Sequence, residues 1–142
     1  MLKIMFLCTA NSCRSQMAEG IARELGRGIL EPYSAGLMAV GLQPRAIAVM
    51  KEIGIDISNQ KSKEIDEKLL REMDIVVTVC GNAEESCPWT PPGISRLHWP
   101  IKDPVGARGT EKEIMKEFRR ARDDIKEKIE RLIKDIRQQA AT

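Results

Sequence analysis

The sequence lacks any long hydrophobic run. The apolar stretch near its N-terminus covers residues 4–7, which is shorter than the roughly 7–15 residues of an export-signal core. Polar Asn11 and Ser12 follow soon afterwards, and no segment approaches the about 20 apolar residues that a membrane-spanning helix needs. These absences predict a cytoplasmic protein with no membrane partner.

A strong charge of either sign is also missing. The 23 Lys and Arg residues nearly balance the 21 Asp and Glu residues, and the net charge of +2 is too weak to favour nucleic acid as a partner. Charges of both signs are interleaved over residues 111–137, which is typical of a solvated helix face. Since no repeat, low-complexity tract or linker divides the chain, we expect one domain over residues 1–142 and a monomer with a single core.

Familiar metal-binding patterns are absent as well. His98 is the only histidine, and the four cysteines include no Cys-x-x-Cys pair, so no ligand set has the spacing of a zinc site. A cytoplasmic chain is not expected to keep its cysteines in structural disulfides. We therefore predict no required metal or cofactor and interpret the cysteines as candidate reactive thiols.

Strand and helix patterns alternate along the chain. Short apolar runs predict four strands, at residues 2–7, 29–35, 75–79 and 94–97. Apolar residues at helical spacing predict helices at about 17–25, between Pro44 and Gly54, around Leu69, and over a long C-terminal segment. The apolar stripe of that last helix comprises Ile114, Phe118, Ala121, Ile125, Ile129, Leu132 and Ile136. This alternation predicts a three-layer α/β domain whose parallel, mostly four-stranded sheet is flanked by helices.

A loop of the form Cys-x5-Arg-Ser joins the first predicted strand to the first predicted helix. In open α/β sheets, ligands bind at the carboxyl ends of strands, where helix N-termini point. A short loop at this place turns several backbone N–H groups toward one point and so binds a phosphate-like tetrahedral anion. The predicted anion-binding residues are Thr9, Ala10, Asn11, Ser12, Cys13, Arg14 and Ser15.

The same loop favours a reactive thiolate at Cys8. Amide dipoles at a helix N-terminus stabilise the charged sulfur, and we expect its pKa to fall to about 4–7. Arg14 offers a planar fork of donors to two oxygens of the anion, and the Ser15 hydroxyl can donate to the thiolate. Asn11 has a short amide suited to holding an unusual loop backbone. Cys13 is interpreted as a packing residue, with a protective redox role as the alternative.

These residues resemble a known family. The stretch Cys8–Glu19 is similar to the oxyanion loop of the low-molecular-weight tyrosine phosphatases, and its Ser-Gln-Met-Ala-Glu part resembles the thioredoxin-coupled arsenate reductases built on that fold. The resemblance covers nearly the whole chain, through Tyr33–Gly36, Asp56–Ser58, Val76–Cys80, His98–Trp99 and Asp103–Pro104. It implies a low-molecular-weight phosphatase-like fold, with Cys8 as nucleophile, Arg14 as anion-binding residue and Asp103 as general acid.

The resemblance also implies that three cysteines reduce arsenate to arsenite in turn. Cys8 attacks arsenic, Cys80 then attacks Cys8 to leave a Cys8–Cys80 disulfide, and Cys87 converts this to a Cys80–Cys87 disulfide that thioredoxin reduces. If the segment between Cys80 and Cys87 is helical, their Cα atoms lie about 10 Å apart along its axis. A disulfide needs about 7 Å or less, so the relay requires that segment to unwind.

Two other functions stay open. A low-molecular-weight tyrosine phosphatase would use the same loop chemistry on phosphate esters, but it has no use for Cys80 and Cys87. A non-catalytic oxyanion sensor would bind arsenate, phosphate or sulfate without turnover. His98 and Trp99 are interpreted as structural residues.

Some members of this family bind potassium beside the loop. The matching residues here are Asn11, Glu19 and Ser34, but Lys63 stands where those members have an Asp. The lysine ammonium would replace the charge of the cation, and so we predict no required potassium. Asp66 lies three residues further on and offers a carboxylate if the register differs.

Overall fold

The computed structural model describes residues 1–80 and 91–141, except for the side chain of Cys80. It contains four β-strands: β1 (Leu2–Cys8), β2 (Leu30–Gly36), β3 (Ile75–Cys80) and β4 (Ser95–Ile101). The helices in this part of the chain are α1 (Arg14–Leu25), α2 (Pro44–Glu52), α3 (Glu67–Arg71), a 3₁₀ turn (Pro104–Gly106) and α4 (Glu111–Ala141).

The four strands form one parallel sheet in the order β2-β1-β3-β4. This confirms the predicted four-stranded parallel sheet. Both edge strands contain a proline, Pro32 in β2 and Pro100 in β4, where a missing backbone N–H is tolerated because one side of the strand is unpaired.

The prediction for the end of β4 was wrong. The fourth strand was expected to cover residues 94–97, but β4 continues to Ile101, which pairs with Cys80. The register shifts between Thr78 and Cys80, so the sheet accommodates the proline at its edge with a local irregularity. The extension brings the chain to the rim of the sheet immediately before Asp103.

Side chains from successive β1 residues enter two separate cores. Ile4 and Phe6 pack into the larger core, to which α1, α2 and α4 contribute, whereas Met5 and Leu7 pack into a smaller core beside α3. Burial on both faces explains the near-continuous apolar run of this strand. Helices therefore cover both faces of the sheet, as the three-layer prediction requires, and the sheet divides the expected single core into two.

The long C-terminal helix packs along the larger core. Phe118, Ala121, Ile125 and Ile129 of the predicted stripe are buried, but the next buried residue is Ile133 rather than Leu132, which is half-buried. A helix that keeps 3.6 residues per turn moves its buried face by one position over this length. Among the described residues, no helix is long and apolar enough to cross a membrane.

Candidate active site

The Cys-x5-Arg-Ser loop lies between β1 and α1. Cys8 is the last residue of β1 and Arg14 the first of α1, and Cys13 occupies the N-cap position. Asn11 has a φ of 47°, the left-handed conformation that Asn tolerates better than most residues, and its backbone N–H donates to the Cys8 sulfur at 3.2 Å. The chain thus folds back over the Cys8 side chain, which is only 7% exposed.

Carbonyl groups of this loop point away from the sulfur. The backbone N–H groups of Met38, Val40 and Gln43 donate to the carbonyls of Thr9, Ala10 and Ser12 at 3.0, 3.2 and 3.0 Å. In a trans peptide the N–H points opposite to the C=O of the same unit. Holding these carbonyls outward therefore turns the following N–H groups inward, which is the arrangement of an anion-binding nest.

Gly36 lets this loop approach the sheet. A Cβ atom at this position would lie 2.7 Å from the backbone nitrogen of Asn11 and 2.9 Å from the carbonyl oxygen of Thr9. Both distances are too short for non-bonded contacts, and both neighbours are backbone atoms that cannot rotate away. Only glycine fits beside the loop at the end of β2.

The Cys8 sulfur has a second hydrogen-bond partner in Ser15. The two side chains lie 2.7 Å apart, and the amide nitrogen of Asn11 donates to the Ser15 hydroxyl at 2.9 Å. Asn11 and Ser15 are both fully buried. The side chains expected to support Cys8 are therefore in contact with it or with each other.

Arg14 and Asp103 meet at the mouth of the site. Nη2 of Arg14 lies 3.4 Å from Oδ2 of Asp103, and Nη1 of Arg14 donates to the carbonyl of Ile101 at 2.8 Å. Arg14 is 11% exposed whereas Asp103 is 49% exposed and accepts from the backbone N–H of Val105 at 3.0 Å. The extended end of β4 thus fixes the guanidinium and brings the predicted general acid to the loop.

These groups surround one open cavity of about 450 Å³. Its lining combines the loop with the segment after β4: Cys8, Thr9, Ala10, Ser12, Cys13, Arg14, Ile101, Lys102, Asp103 and Val105. A tetrahedral oxyanion is much smaller than this volume, so it fits beside Cys8 with room for a leaving oxygen near Asp103. Sequence reasoning did not identify Lys102, a second cation on the cavity wall.

Cys13 differs from Cys8 although both belong to the same loop. Its side chain is 3% exposed, and burial raises the pKa of its thiol far above the usual value, with Asp103 and Cys8 adding to this and Arg14 opposing it. Desolvation penalises the thiolate because the charged form loses its hydration. Cys13 therefore remains a neutral thiol at physiological pH, as expected of a packing residue.

The carboxylate expected at a potassium site is already surrounded by donors. Glu19 accepts from the Ser34 hydroxyl at 2.6 Å and from Arg23 at 2.6 Å, and the Lys63 ammonium lies 3.8 Å away. Asp66 caps α3 by accepting from two backbone N–H groups of that helix. Within residues 1–80 and 91–141, no group of three or more His, Cys, Asp or Glu side chains is arranged to hold a metal ion.

His98 and Trp99 pack within the sheet. Nδ1 of His98 lies 2.6 Å from the Thr78 hydroxyl, and the Trp99 ring lies 6.1 Å from the Phe6 ring at an angle of 43°. Tilted aromatic pairs at this distance stabilise a core. Neither residue lines the cavity beside Cys8.

The second cysteine pair is described only in part. Cys80 is the last residue of β3, which lies directly beside β1, so its backbone reaches the same edge of the sheet as Cys8. Cys87 lies outside the described residues. The predicted Cys8–Cys80 and Cys80–Cys87 disulfides remain predictions.

Known proteins are similar to this chain in sequence and in fold. The profile of the low molecular weight phosphotyrosine protein phosphatase family matches residues 3–142. The arsenate reductase of Bacillus subtilis (strain 168) is 54% identical over 122 residues, covering 86% of this chain and 88% of that protein.

Solved structures agree with the sequence comparison. An arsenate reductase in the phosphate binding state has a TM-score of 0.80 at 39% identity and covers 96% of this chain and 99% of its own. A thioredoxin-dependent arsenate reductase from Corynebacterium glutamicum has a TM-score of 0.73 at 27% identity, covering 98% of this chain and 63% of its own. The resemblance inferred from the Cys8 loop is thereby confirmed: this chain belongs to the low molecular weight phosphotyrosine protein phosphatase family, as a relative of its arsenate reductases.

Proposed function

We propose that this protein reduces arsenate to arsenite in arsenic detoxification, with Cys8 as the nucleophile and thioredoxin as the external reductant. The observation that carries the proposal is the single cavity on which the Cys8 sulfur, the Arg14 guanidinium and the Asp103 carboxyl converge. Two relatives that are 54% and 50% identical to this chain are arsenate reductases. This confirms the prediction from sequence and favours it over a tyrosine phosphatase.

In the first step the Cys8 thiolate attacks the arsenic atom. An arsenic–sulfur bond forms and an arsenic–oxygen bond breaks, and Asp103 gives its proton to the departing oxygen, which leaves as water. Arg14 and the inward N–H groups bind the remaining oxygens and stabilise their charge.

Reduction follows when a second thiolate attacks the Cys8 sulfur. We propose Cys80 for this role: a sulfur–sulfur bond forms, the arsenic–sulfur bond breaks, and its electron pair remains on arsenic, which leaves as arsenite. Leu7 pairs with Thr78, and Cys8 and Cys80 lie one and two residues beyond that pair. The two cysteines thus stand at the same end of two neighbouring parallel strands, which supports a direct attack of one on the other.

Thioredoxin is proposed to restore the reduced enzyme through Cys87. Attack of Cys87 on Cys80 would free Cys8 and leave a Cys80–Cys87 disulfide, which thioredoxin, at roughly −270 mV, reduces with its own dithiol. The thioredoxin dependence of the Corynebacterium relative supports this choice of reductant. A cytoplasmic location is proposed with it, since thioredoxin keeps thiols reduced in that compartment.

Phosphate and sulfate are proposed as competing ligands of the same cavity. They share the tetrahedral shape and charge of arsenate, and a solved relative at 39% identity is in a phosphate binding state. Weak phosphatase activity is therefore expected beside the reductase activity.

We also propose that catalysis needs no potassium. Ser34, Arg23 and Lys63 already surround the Glu19 carboxylate. Exchanging potassium for tetramethylammonium at constant ionic strength should leave the kcat/KM for arsenate within about twofold. Lys63→Asp should create a dependence on potassium, whereas a wild-type enzyme that already loses its activity in tetramethylammonium would contradict the proposal.

The assay for the proposed function is arsenate-dependent NADPH consumption with thioredoxin and thioredoxin reductase. Wild type should turn over, and Cys8→Ser, Cys80→Ser and Cys87→Ser should each lose turnover. Cys13→Ala is the matched control, because it removes a buried thiol of the same loop and keeps the backbone N–H through which this residue is predicted to bind the anion. Full turnover by Cys87→Ser would replace the proposed route with one in which a small thiol completes the reaction.

A further inference from the structure

A line of hydrogen bonds connects the surface of α1 to the Cys8 sulfur. We call it the amide relay, and its members from the surface inward are Arg23, Gln60, Gln16, Asn11 and Ser15. Successive donor–acceptor distances are 2.8, 2.8, 2.9 and 2.9 Å, and the last member lies 2.7 Å from the sulfur. The three inner members are fully buried, so water does not compete for these contacts.

Donor-only and acceptor-only neighbours fix the direction of the inner links. The backbone N–H of Lys63 donates to Oδ1 of Asn11 at 2.7 Å, so the nitrogen of this amide must face Ser15. Ser15 Oγ therefore accepts from Asn11. Its single hydrogen is then free to point at Cys8, whose thiolate form can only accept.

The outer links have the same direction. Nε2 of Gln16 contacts two backbone carbonyl oxygens besides Asn11 Oδ1, those of Asn11 at 3.2 Å and Lys61 at 2.9 Å. Nε2 of Gln60 donates to the Gln16 carbonyl at 3.0 Å, and Oε1 of Gln60 accepts from the Arg23 guanidinium, which has no acceptor. Every amide thus presents its oxygen toward the guanidinium and its nitrogen toward Cys8.

Aligned hydrogen bonds polarise one another, and in a buried chain each donor becomes stronger. Here the strengthened donor is the Ser15 hydroxyl, and the charge it meets is the Cys8 thiolate. We propose that Gln16, Gln60 and Arg23 are positioning residues that hold Ser15 as a donor to Cys8 and so keep this sulfur ionised. The inference rests on the proposed function, in which Cys8 is the nucleophile. It gives a role in the ionisation of Cys8 to three residues that do not line the cavity.

Other charges act on Cys8 from the cavity side. Arg14 and Lys102 line the same cavity and favour the thiolate, while Asp103 opposes it and Cys13 stays a neutral thiol. Behind the loop, the Glu19 carboxylate is paired with Arg23 and Lys63. Substitutions within the amide relay leave the cavity-side groups in place, so their effect on the sulfur can be measured separately.

Gln60→Glu tests the relay at its outer end. A carboxylate at this position cannot donate to Gln16, so the uniform direction of the chain is lost. We expect the pH midpoint for alkylation of Cys8 by iodoacetamide, followed by peptide mass mapping, to rise by about one unit. Alkylation below the midpoint should then be about tenfold slower. Asn59→Asp is the matched control, because it adds the same charge at the neighbouring exposed position and should leave the midpoint unchanged.

A double variant distinguishes an effect of hydrogen-bond orientation from a direct effect of the new charge on the Cys8 sulfur. Ser15→Ala removes the last link, and if Gln60 acts through Ser15, adding Gln60→Glu to Ser15→Ala should shift the midpoint no further. An equal shift in both backgrounds would show that the new charge acts directly on the sulfur, and it would overturn the proposal. A pH midpoint in Gln60→Glu equal to that of the wild type would also overturn the proposal.

Arg23→Gln is a second test of the amide relay, at a side chain that is half-exposed. It should slow alkylation below the midpoint severalfold, whereas Arg27→Gln, which removes a nearby guanidinium paired only with Glu24 in the described contacts, should not. Thermal unfolding of each variant confirms that it is folded. The alkylation assay needs no arsenate. If the wild type failed to turn over arsenate, the proposed function would be refuted, but the alkylation data would still test the amide relay.

Discussion

At the scale of single residues, two cysteines of one loop have opposite properties because their surroundings differ. Cys8 receives hydrogen bonds from Ser15 and from the N–H of Asn11, which suit a thiolate. Cys13 is buried at the N-cap of α1, and burial holds its thiol neutral. The Cys-x5-Arg-Ser spacing predicted which thiol is the candidate nucleophile, but the neutrality of Cys13 depends on burial that no spacing reveals.

Cys13 should make the folded protein less stable in alkali. Burial raises its pKa above the ordinary value of 9.0, so above about pH 9 the unfolded chain releases a proton that the folded protein retains. Its contribution is intact below that pH and is lost as the pH rises, by up to about 1.4 kcal/mol per unit. Urea unfolding of wild type and Cys13→Ala between pH 8 and 10 should show a shallower decline for the variant. Parallel declines would contradict this prediction.

Asp103 should matter more for proton donation to the departing oxygen than for the nucleophilicity of the Cys8 sulfur. Asp103→Asn cannot supply a proton to the departing oxygen, and we expect kcat to fall about 10²- to 10⁴-fold. Alkylation of Cys8 should persist, because the variant keeps the hydrogen bonds from Ser15 and from the backbone N–H of Asn11 and removes a charge that opposes the thiolate. Glu113→Gln, an exposed carboxyl at the start of α4, is a suitable control. A kcat unchanged in Asp103→Asn would remove Asp103 from the mechanism.

At the scale of elements, the end of β2 and the segment after it shape the loop between Cys8 and Ser15. The motif around Cys8 predicted a nest, but it did not show that residues 38–43 hold three loop carbonyls outward. Those bonds join segments distant in sequence and arise from backbone groups, which carry no residue signature. Similarly, β4 extends through Pro100 because it lies at a sheet edge, a position that a strand pattern alone does not reveal.

Gly36→Ala should disable the site while leaving the fold in place. The new methyl group would lie 2.7 Å from Asn11 N and force the loop away from β2. We expect arsenate turnover to fall at least tenfold and Cys8 alkylation to slow. Gly54→Ala is the control, because its φ of 78° makes it similarly unfavourable at a position that does not line the cavity. Equal activity losses in the two variants would point to general destabilisation instead.

At the scale of the whole molecule, the sequence predicted the architecture well because burial on two faces leaves strong patterns. The apolar run of β1, the β-branched run of β3 and the stripe on α4 each matched an observed element. Buried polar residues were harder to predict. Gln16 and Arg122 look like surface residues in sequence, yet Gln16 belongs to the amide relay and Arg122 donates to the Val49 carbonyl at 2.9 Å.

The larger core depends on the docking of α4. Phe118 is fully buried there, and Phe118→Ala should lower the free energy of unfolding by about 3–5 kcal/mol. Glu130→Ala, at an exposed position of the same helix, should change it by less than about 0.5 kcal/mol. Denaturant titrations measure both. A small effect of Phe118→Ala would mean that α4 contributes little to the core.

The proposed chemistry predicts which two cysteines form a disulfide after one turnover. Reduced enzyme mixed with arsenate, without thioredoxin, should release one arsenite per molecule and become lighter by two hydrogen atoms. Disulfide mapping should then find Cys80 bonded to Cys87 in wild type and Cys8 bonded to Cys80 in Cys87→Ser. Release of no arsenite, or a disulfide that omits Cys80, would contradict the central claim.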